Sequence, residues 1–299
     1  MESIKNRFLP LAIACILILS FGTGCSRHDP ADDVVLYWPE DVSSSKTEIL
    51  EEELLDAPPL IDAYDAPTSY SEDIKNFKKK NSDAVGWLYF PDTTINEVVV
   101  QDEDDNTTYH RANSLGQYDF NGCLYADYEC RIAGNENQIS PNIVIYGHSM
   151  TDTPDGPKDE KKFTQLKKLL DKDFAEKHPY IYFSNGVQDF VYEIFSVMYA
   201  NTDDFLYNDC NFSYTNDPRY LSVEEFIKEA KANSVFNYPV EPTPNDKFLT
   251  LSTCTYKWGE GETNTKQRYI VFGRLLTQAD DMPESIKLTE NKLAQMPVF

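Results

Sequence analysis

The sequence predicts a mainly β fold in which eight short strands close into a barrel. Two observations carry that expectation. Eight β-rich runs, at 86–90, 97–101, 122–126, 142–146, 180–183, 188–199, 247–254 and 268–276, are separated by turn-forming residues. Only two helical patterns interrupt them past residue 81, at 161–171 and 222–232.

The chain begins with a targeting segment. Lys5 and Arg7 precede an apolar run, 8–21, and then Gly22-Thr-Gly-Cys25. That run is short for a membrane span and suits a signal core, but 8–25 carries no charge and remains compatible with a marginal span. Two fates stay open for residues 1–25, an uncleaved anchor or lipidation at Cys25. Both put the rest of the chain outside the membrane, because the basic start stays inside. Residues 29–73 hold fourteen acidic side chains and one basic one, Lys46, punctuated by five prolines. This composition reads as a solvated spacer over 26–70, with a short helix at 45–55. The formal net charge of −23 argues against nucleic acid as a partner.

Ser71 is placed to cap a helix over 72–80. The pattern at 161–171 repeats Phe163, Leu166, Leu169 and Leu170. The one at 222–232 opens with a capping box, Ser222 and Glu225, and presents Val223, Phe226, Ile227 and Ala230 on one face. The last two strands are joined by a loop and pair most simply as a hairpin. Cys254 ends the first and Arg268 begins the second, so the hairpin sets a thiol beside a guanidinium at one edge. A cation lowers a thiol's pKa, and the thiolate is the nucleophile; arginine's fixed donors can also hold an oxyanion. His148 ends the run Asn142-Ile-Val-Ile-Tyr-Gly-His148, which places it at a strand rim where it can serve as acid and base.

Thr250-Leu-Ser-Thr-Cys254, an arginine opening the next strand, and the upstream Ile145-Tyr-Gly-His148 together resemble the sortase family, cysteine transpeptidases of Gram-positive cell surfaces. The similarity runs from about residue 81 to 276. Class B is indicated by Gly86-Trp-Leu-Tyr-Phe90, Ile95-Asn-Glu-Val-Val-Val-Gln101, Asn121-Gly-Cys-Leu-Tyr-Ala-Asp127, Tyr192-Glu-Ile-Phe-Ser-Val197 and the helix before the final hairpin. The resemblance implies an eight-stranded sortase barrel over 71–280 with N-terminal helices, an uncleaved N-terminal anchor, and a short tail at 281–299. It also implies a mechanism. Cys254 attacks a sorting-signal peptide and forms a thioester. His148 protonates the leaving amine and deprotonates the incoming one, and Arg268 binds the substrate carbonyl or its oxyanion. The donor is then a surface protein cut after a Thr, and the acceptor is an amine of a cell-wall precursor or a pilin lysine. Asn106, Tyr207, Asn208 and Ser252 fall at substrate-contacting positions. His110 stands where the family usually has Leu. An insertion at 153–160 and a longer loop between Cys254 and Arg268 depart from the common pattern.

The rival reading is an exported cysteine peptidase that hydrolyses its thioester, although papain-like chains run Cys before His. Cys123, Cys130 and Cys210 allow a Cys123–Cys130 bridge, a bridge to Cys210, or free half-buried thiols. These scattered cysteines and His148 do not make a zinc set, and neither metal nor cofactor is expected.

Overall fold

A computed structural model of the chain describes residues 70–149, 162–214, 216–259 and 264–299. The targeting segment, the acidic spacer up to residue 69 and the insertion at 153–160 lie outside these residues. The strands are β1 (Ala84–Tyr89), β2 (Asn96–Val100), β3 (Leu124–Ala126), β4 (Asn142–Tyr146), β5 (Tyr180–Ser184), β6 (Asp189–Asn201), β7 (Phe236–Asn237), β8 (Phe248–Cys254), β9 (Gln267–Leu275) and β10 (Thr289–Glu290). Eight of them close a barrel in the order β1-β2-β3-β4-β8-β9-β6-β5, while β7 and β10 pair apart from it. The expected eight-stranded barrel is therefore present, with strand ends moved by a few residues. β2–β3 and β4–β8 run parallel and every other barrel pair is antiparallel.

Alternation divides β4, β8 and β9 into two faces. Ile143, Ile145, Leu249, Leu251, Tyr269 and Val271 form one, all fully buried in the core. The opposite face carries Val144, Tyr146, Thr250, Ser252, Ile270 and Phe272, and is covered by the segment that leads from β6 into α3 (Val223–Asn233). The expected capping box of α3 is formed: Ser222 accepts from the Glu225 amide and Glu225 accepts from the Ser222 amide. Phe226 docks the helix, 5.0 Å from the Phe272 ring and 5.3 Å from Phe248. Burying one such phenyl contributes about 1.5–3 kcal/mol against about 1 for the cap, so packing rather than capping holds α3 in place.

Two local expectations are corrected. α1 (Ser71–Lys78) contains Ser71 instead of being capped by it, and its N-cap position is Tyr70, with no side-chain cap. Tyr70 stacks on Trp87 at 5.3 Å, so the helix starts where the chain docks on the barrel. It is the only N-terminal helix among the described residues. The pattern at 161–171 forms a 3-10 helix, Phe163–Leu170, followed by α2 (Lys172–Lys177). Its buried apolar positions, Phe163, Leu166 and Leu169, recur every three residues, which is the 3-10 period. The segment past residue 280 also packs on the domain: Ile286 and Leu288 are buried in the main core.

Candidate active site

β4 and β8 run parallel with Tyr146 level with Ser252, and the Gly147 amide donates to the Ser252 carbonyl at 3.2 Å. Carried two residues further, that register sets His148 level with Cys254. β8 and β9 are antiparallel with Cys254 directly opposite Arg268, the pairing the hairpin predicted. Adjacent strands lie about 4.8 Å apart, so three neighbouring strands bring His148, Cys254 and Arg268 to one rim. Arg274 sits at the other end of the hairpin, opposite Phe248, and is spent on Asp280 at 2.8 Å and Glu193 at 3.4 Å.

Cys254 is a free thiol and half-buried. Cys123 is also free, but burial pushes its pKa up to about 12, which leaves it inert at neutral pH. Arg268 is 7% exposed, and no carboxylate among the described residues lies within ion-pair distance of it. Burial alone lowers its pKa, but the nearby Cys254 sulfur and the phenols of Tyr207, Tyr125 and Tyr146 outweigh burial and the net shift is upward. A buried cation with no carboxylate partner is costly to keep. Here it faces the one thiol of the rim and is poised for the negative charge of a thiolate or an oxyanion.

The Nε2 of His148 lies 2.8 Å from the His110 carbonyl oxygen. A carbonyl only accepts, so Nε2 carries the hydrogen in this contact. Gly122 makes this contact possible. Its φ is +57°, and a Cβ added there would stand 2.7 Å from the His110 carbonyl and 2.9 Å from His148 Cδ2. The His110 ring stands 5.9 Å from the His148 ring and edge-on to Tyr125 at 5.4 Å. Its pKa falls to about 4, first through burial and then through His148 and Arg268, so His110 is neutral at pH 7.

The four expected groove residues separate into two groups. Ser252 and Tyr207 share a short hydroxyl–hydroxyl hydrogen bond, and the Tyr207 hydroxyl lies close enough to the Arg268 side chain to interact with its charge. Asn208 follows, with its Oδ1 buried and unsatisfied. Asn106 is committed elsewhere: Nδ2 donates to Asp127 Oδ2 at 2.9 Å and Oδ1 accepts from the Tyr128 amide at 2.9 Å. Asp127 also accepts from the Tyr146 hydroxyl at 2.8 Å, and burial raises its pKa to about 6. Sequence reasoning missed the His110 carbonyl, Gly122 and Asp127. The Gly-Cys pair at 122–123, just before a strand, was the one available signal for a special backbone position. Of the open cysteine pairings the structure forms Cys130–Cys210, with Cα atoms 5.4 Å apart. Among the described residues no cluster of His, Cys, Asp or Glu is arranged to hold a metal.

A family model, the sortase domain, matches residues 88–276, which contain all three rim residues. The chain belongs to the sortase family. Its similarity is to class B. Sortase B of Listeria monocytogenes is 32% identical over 208 residues, 69% of this chain and 75% of that one. The solved Staphylococcus aureus sortase B–substrate complex superposes with a TM-score of 0.56 at 25% identity, covering 71% of this chain and 88% of that one. A sortase B complexed with triglycine gives a TM-score of 0.55 at 25% identity over the same shares. As a class B sortase, the chain is a cysteine transpeptidase, and its sortase domain contains the rim where His148, Cys254 and Arg268 come together.

Proposed function

We propose that this sortase cleaves a C-terminal sorting signal after a Thr through a thioester on Cys254, then transfers the protein to an amine. The pairing of Cys254 with Arg268, with His148 two residues past the end of the neighbouring β4, is the observation that supports this most. The Cys254 thiol gives its proton to His148 Nδ1, and Sγ attacks the scissile carbonyl carbon. The carbonyl oxygen takes the negative charge beside Arg268, and the C–N bond breaks as His148 Nδ1 gives a proton to the leaving amine. The incoming amine loses a proton to the same nitrogen and displaces sulfur. This first half is that of a cysteine endopeptidase; the acceptor decides the product. The S. aureus relative solved with substrate and the sortase B solved with triglycine support a sorting peptide as donor and a glycine-like amine as acceptor.

Ser252, Tyr207 and Asn208 form the wall nearest the thiol, and Asn106 acts by holding Asp127 and Tyr146 behind it. Residues 1–25 anchor the chain and 26–70 space the catalytic domain, 71–280, from the outer face of the membrane. Tethering raises the local concentration of anchored amines, which favours transfer over hydrolysis. A cell-wall precursor fits this placement, and a pilin lysine uses the same chemistry. The test is product analysis by mass spectrometry, with the full-length chain, a sorting-signal peptide library and triglycine. The expected product is a peptide cut after Thr and joined to triglycine. Free acid alone at saturating amine makes the protein a peptidase.

A further inference from the structure

Residues 202–222 cover the face that carries Cys254, Ser252 and Arg268. Among the described residues this segment has no helix, and its one isolated bridge, Leu206 to Tyr220, is internal to it. Packing of Phe205, Tyr207 and Phe212 against the core holds it, together with latches to the barrel. The Asn142 amide donates to the Cys210 carbonyl at 3.1 Å, and Asn142 Nδ2 donates to the Tyr207 carbonyl at 3.0 Å. The Tyr214 hydroxyl donates to the Glu129 carboxylate at 2.6 Å. One latch is covalent: Cys210 is bonded to Cys130, 80 residues earlier. The Cys130 end is fixed to the barrel, because Gln101 Nε2 donates at 2.7 Å to both the Cys130 and the Asp127 carbonyls. The Cys210 end lies two residues past Asn208 and three past Tyr207, the residue that touches Ser252 and Arg268.

We propose that the Cys130–Cys210 bridge is a positioning element of the sorting-peptide groove, holding Tyr207 and Asn208 against Ser252 and Arg268 and so setting affinity for the peptide rather than reactivity of the thiol. The inference rests on the groove assignment made above. Hydrogen-bond latches open singly and reclose, whereas a covalent one bounds how far the wall can leave the face. Both bridging cysteines are buried, at 4% and 1% exposure, and the bridge is separate from the half-buried Cys254. A thiol reagent therefore reads the two chemistries independently.

The test uses the full-length chain, the Cys130→Ala/Cys210→Ala double variant, and wild type reduced with a water-soluble phosphine. In that reduction the S–S bond breaks, the phosphine takes its oxygen from water to become the oxide, and each sulfur gains a hydrogen. Loss of the bridge is expected to raise KM for the sorting peptide about tenfold, with kcat and the rate of Cys254 alkylation changed less than about twofold. Amide exchange over 205–214 should speed up while exchange in β8 and β9 stays slow. If the double variant fails to fold, the reduced wild type supplies the same comparison. A proportional fall in kcat and alkylation, or an unchanged KM, overturns the proposal. So does unchanged exchange over 205–214, whether or not any peptide is cleaved. A wild type that cleaves no sorting peptide counts instead against the proposed function, and the exchange result still judges the latch.

Discussion

Replacing His110 with leucine should remove a pH dependence of folding that the native chain carries below neutrality. His110 sits against Tyr125 and His148, and its pKa is lowered from 6.5 to about 4, first by burial and then by the charges of His148 and Arg268, with Asp105 pulling weakly the other way. A base whose pKa is depressed on folding gives stability that is fully present above its unfolded value. That stability is lost as pH falls through the folded value. The gap between 6.5 and about 4, at ~1.4 kcal/mol per pH unit, sets a ceiling on the order of 3 kcal/mol. By about pH 4.5 most of it is gone, leaving roughly 2–3 kcal/mol to be read. Leucine keeps the bulk and cannot titrate. Urea unfolding of both proteins at several values from about pH 7.5 down to 4.5 gives the curve. The difference, wild type minus His110→Leu, should be flat above neutrality and fall steadily below about pH 6. A difference that stays constant to pH 4.5 would refute the burial of His110 and its coupling to the two cations.

Other substitutions separate the rim from its support. Arg268→Lys keeps the charge but loses the fork, and should lower kcat/KM by about a hundredfold with little change in unfolding midpoint. Arg274→Lys should do the reverse, costing roughly 1–3 kcal/mol of stability by weakening the contacts to Asp280 and Glu193 while kcat stays within a few-fold. If Arg274→Lys harms turnover more, the role assigned to the Cys254–Arg268 pair is wrong. Gly122→Ala puts a methyl against the His110 carbonyl and the His148 ring, so kcat should fall at least about tenfold with the loss concentrated on the acid–base steps. An unaffected pH–rate profile in that variant would show that the His148 contact is not needed.

The barrel and the meeting of Cys254 with Arg268 were legible because both follow from periodicity. Alternation set which residues of the final hairpin share a face, and the direct connection between its strands set their pairing, so Cys254 opposite Arg268 needed no other information. The α3 start was legible for a similar reason, since Ser222 and Glu225 make a local bond that no tertiary contact has to supply. What stayed hidden was carried by contacts distant in sequence or by the backbone. Nothing in residues 123, 130 and 210 ranks one pairing above another; the choice of Cys130–Cys210 depends on where the segment after β6 lies. The partner of His148 is a carbonyl, a group every residue has, so its position at His110 leaves no trace in side-chain type. Asn106 matched a groove position, yet the carboxylate of Asp127, 21 residues on, claims its amide. The stretch 163–170 reads as an α-helix because Leu170 completes an i, i+3, i+7 pattern, while the buried apolar residues, Phe163, Leu166 and Leu169, follow the stricter three-residue repeat.

The central claim is that Cys254 carries the acyl group. Its most direct test is to mix the full-length chain with a sorting-signal peptide without amine, quench in acid within the first turnover, and weigh the intact protein and its digest. The account predicts a mass increase equal to the peptide fragment ending at Thr, located on Cys254, discharged by triglycine and absent from Cys254→Ala. An adduct on another residue, or cleavage by Cys254→Ala at the wild-type rate, would contradict it.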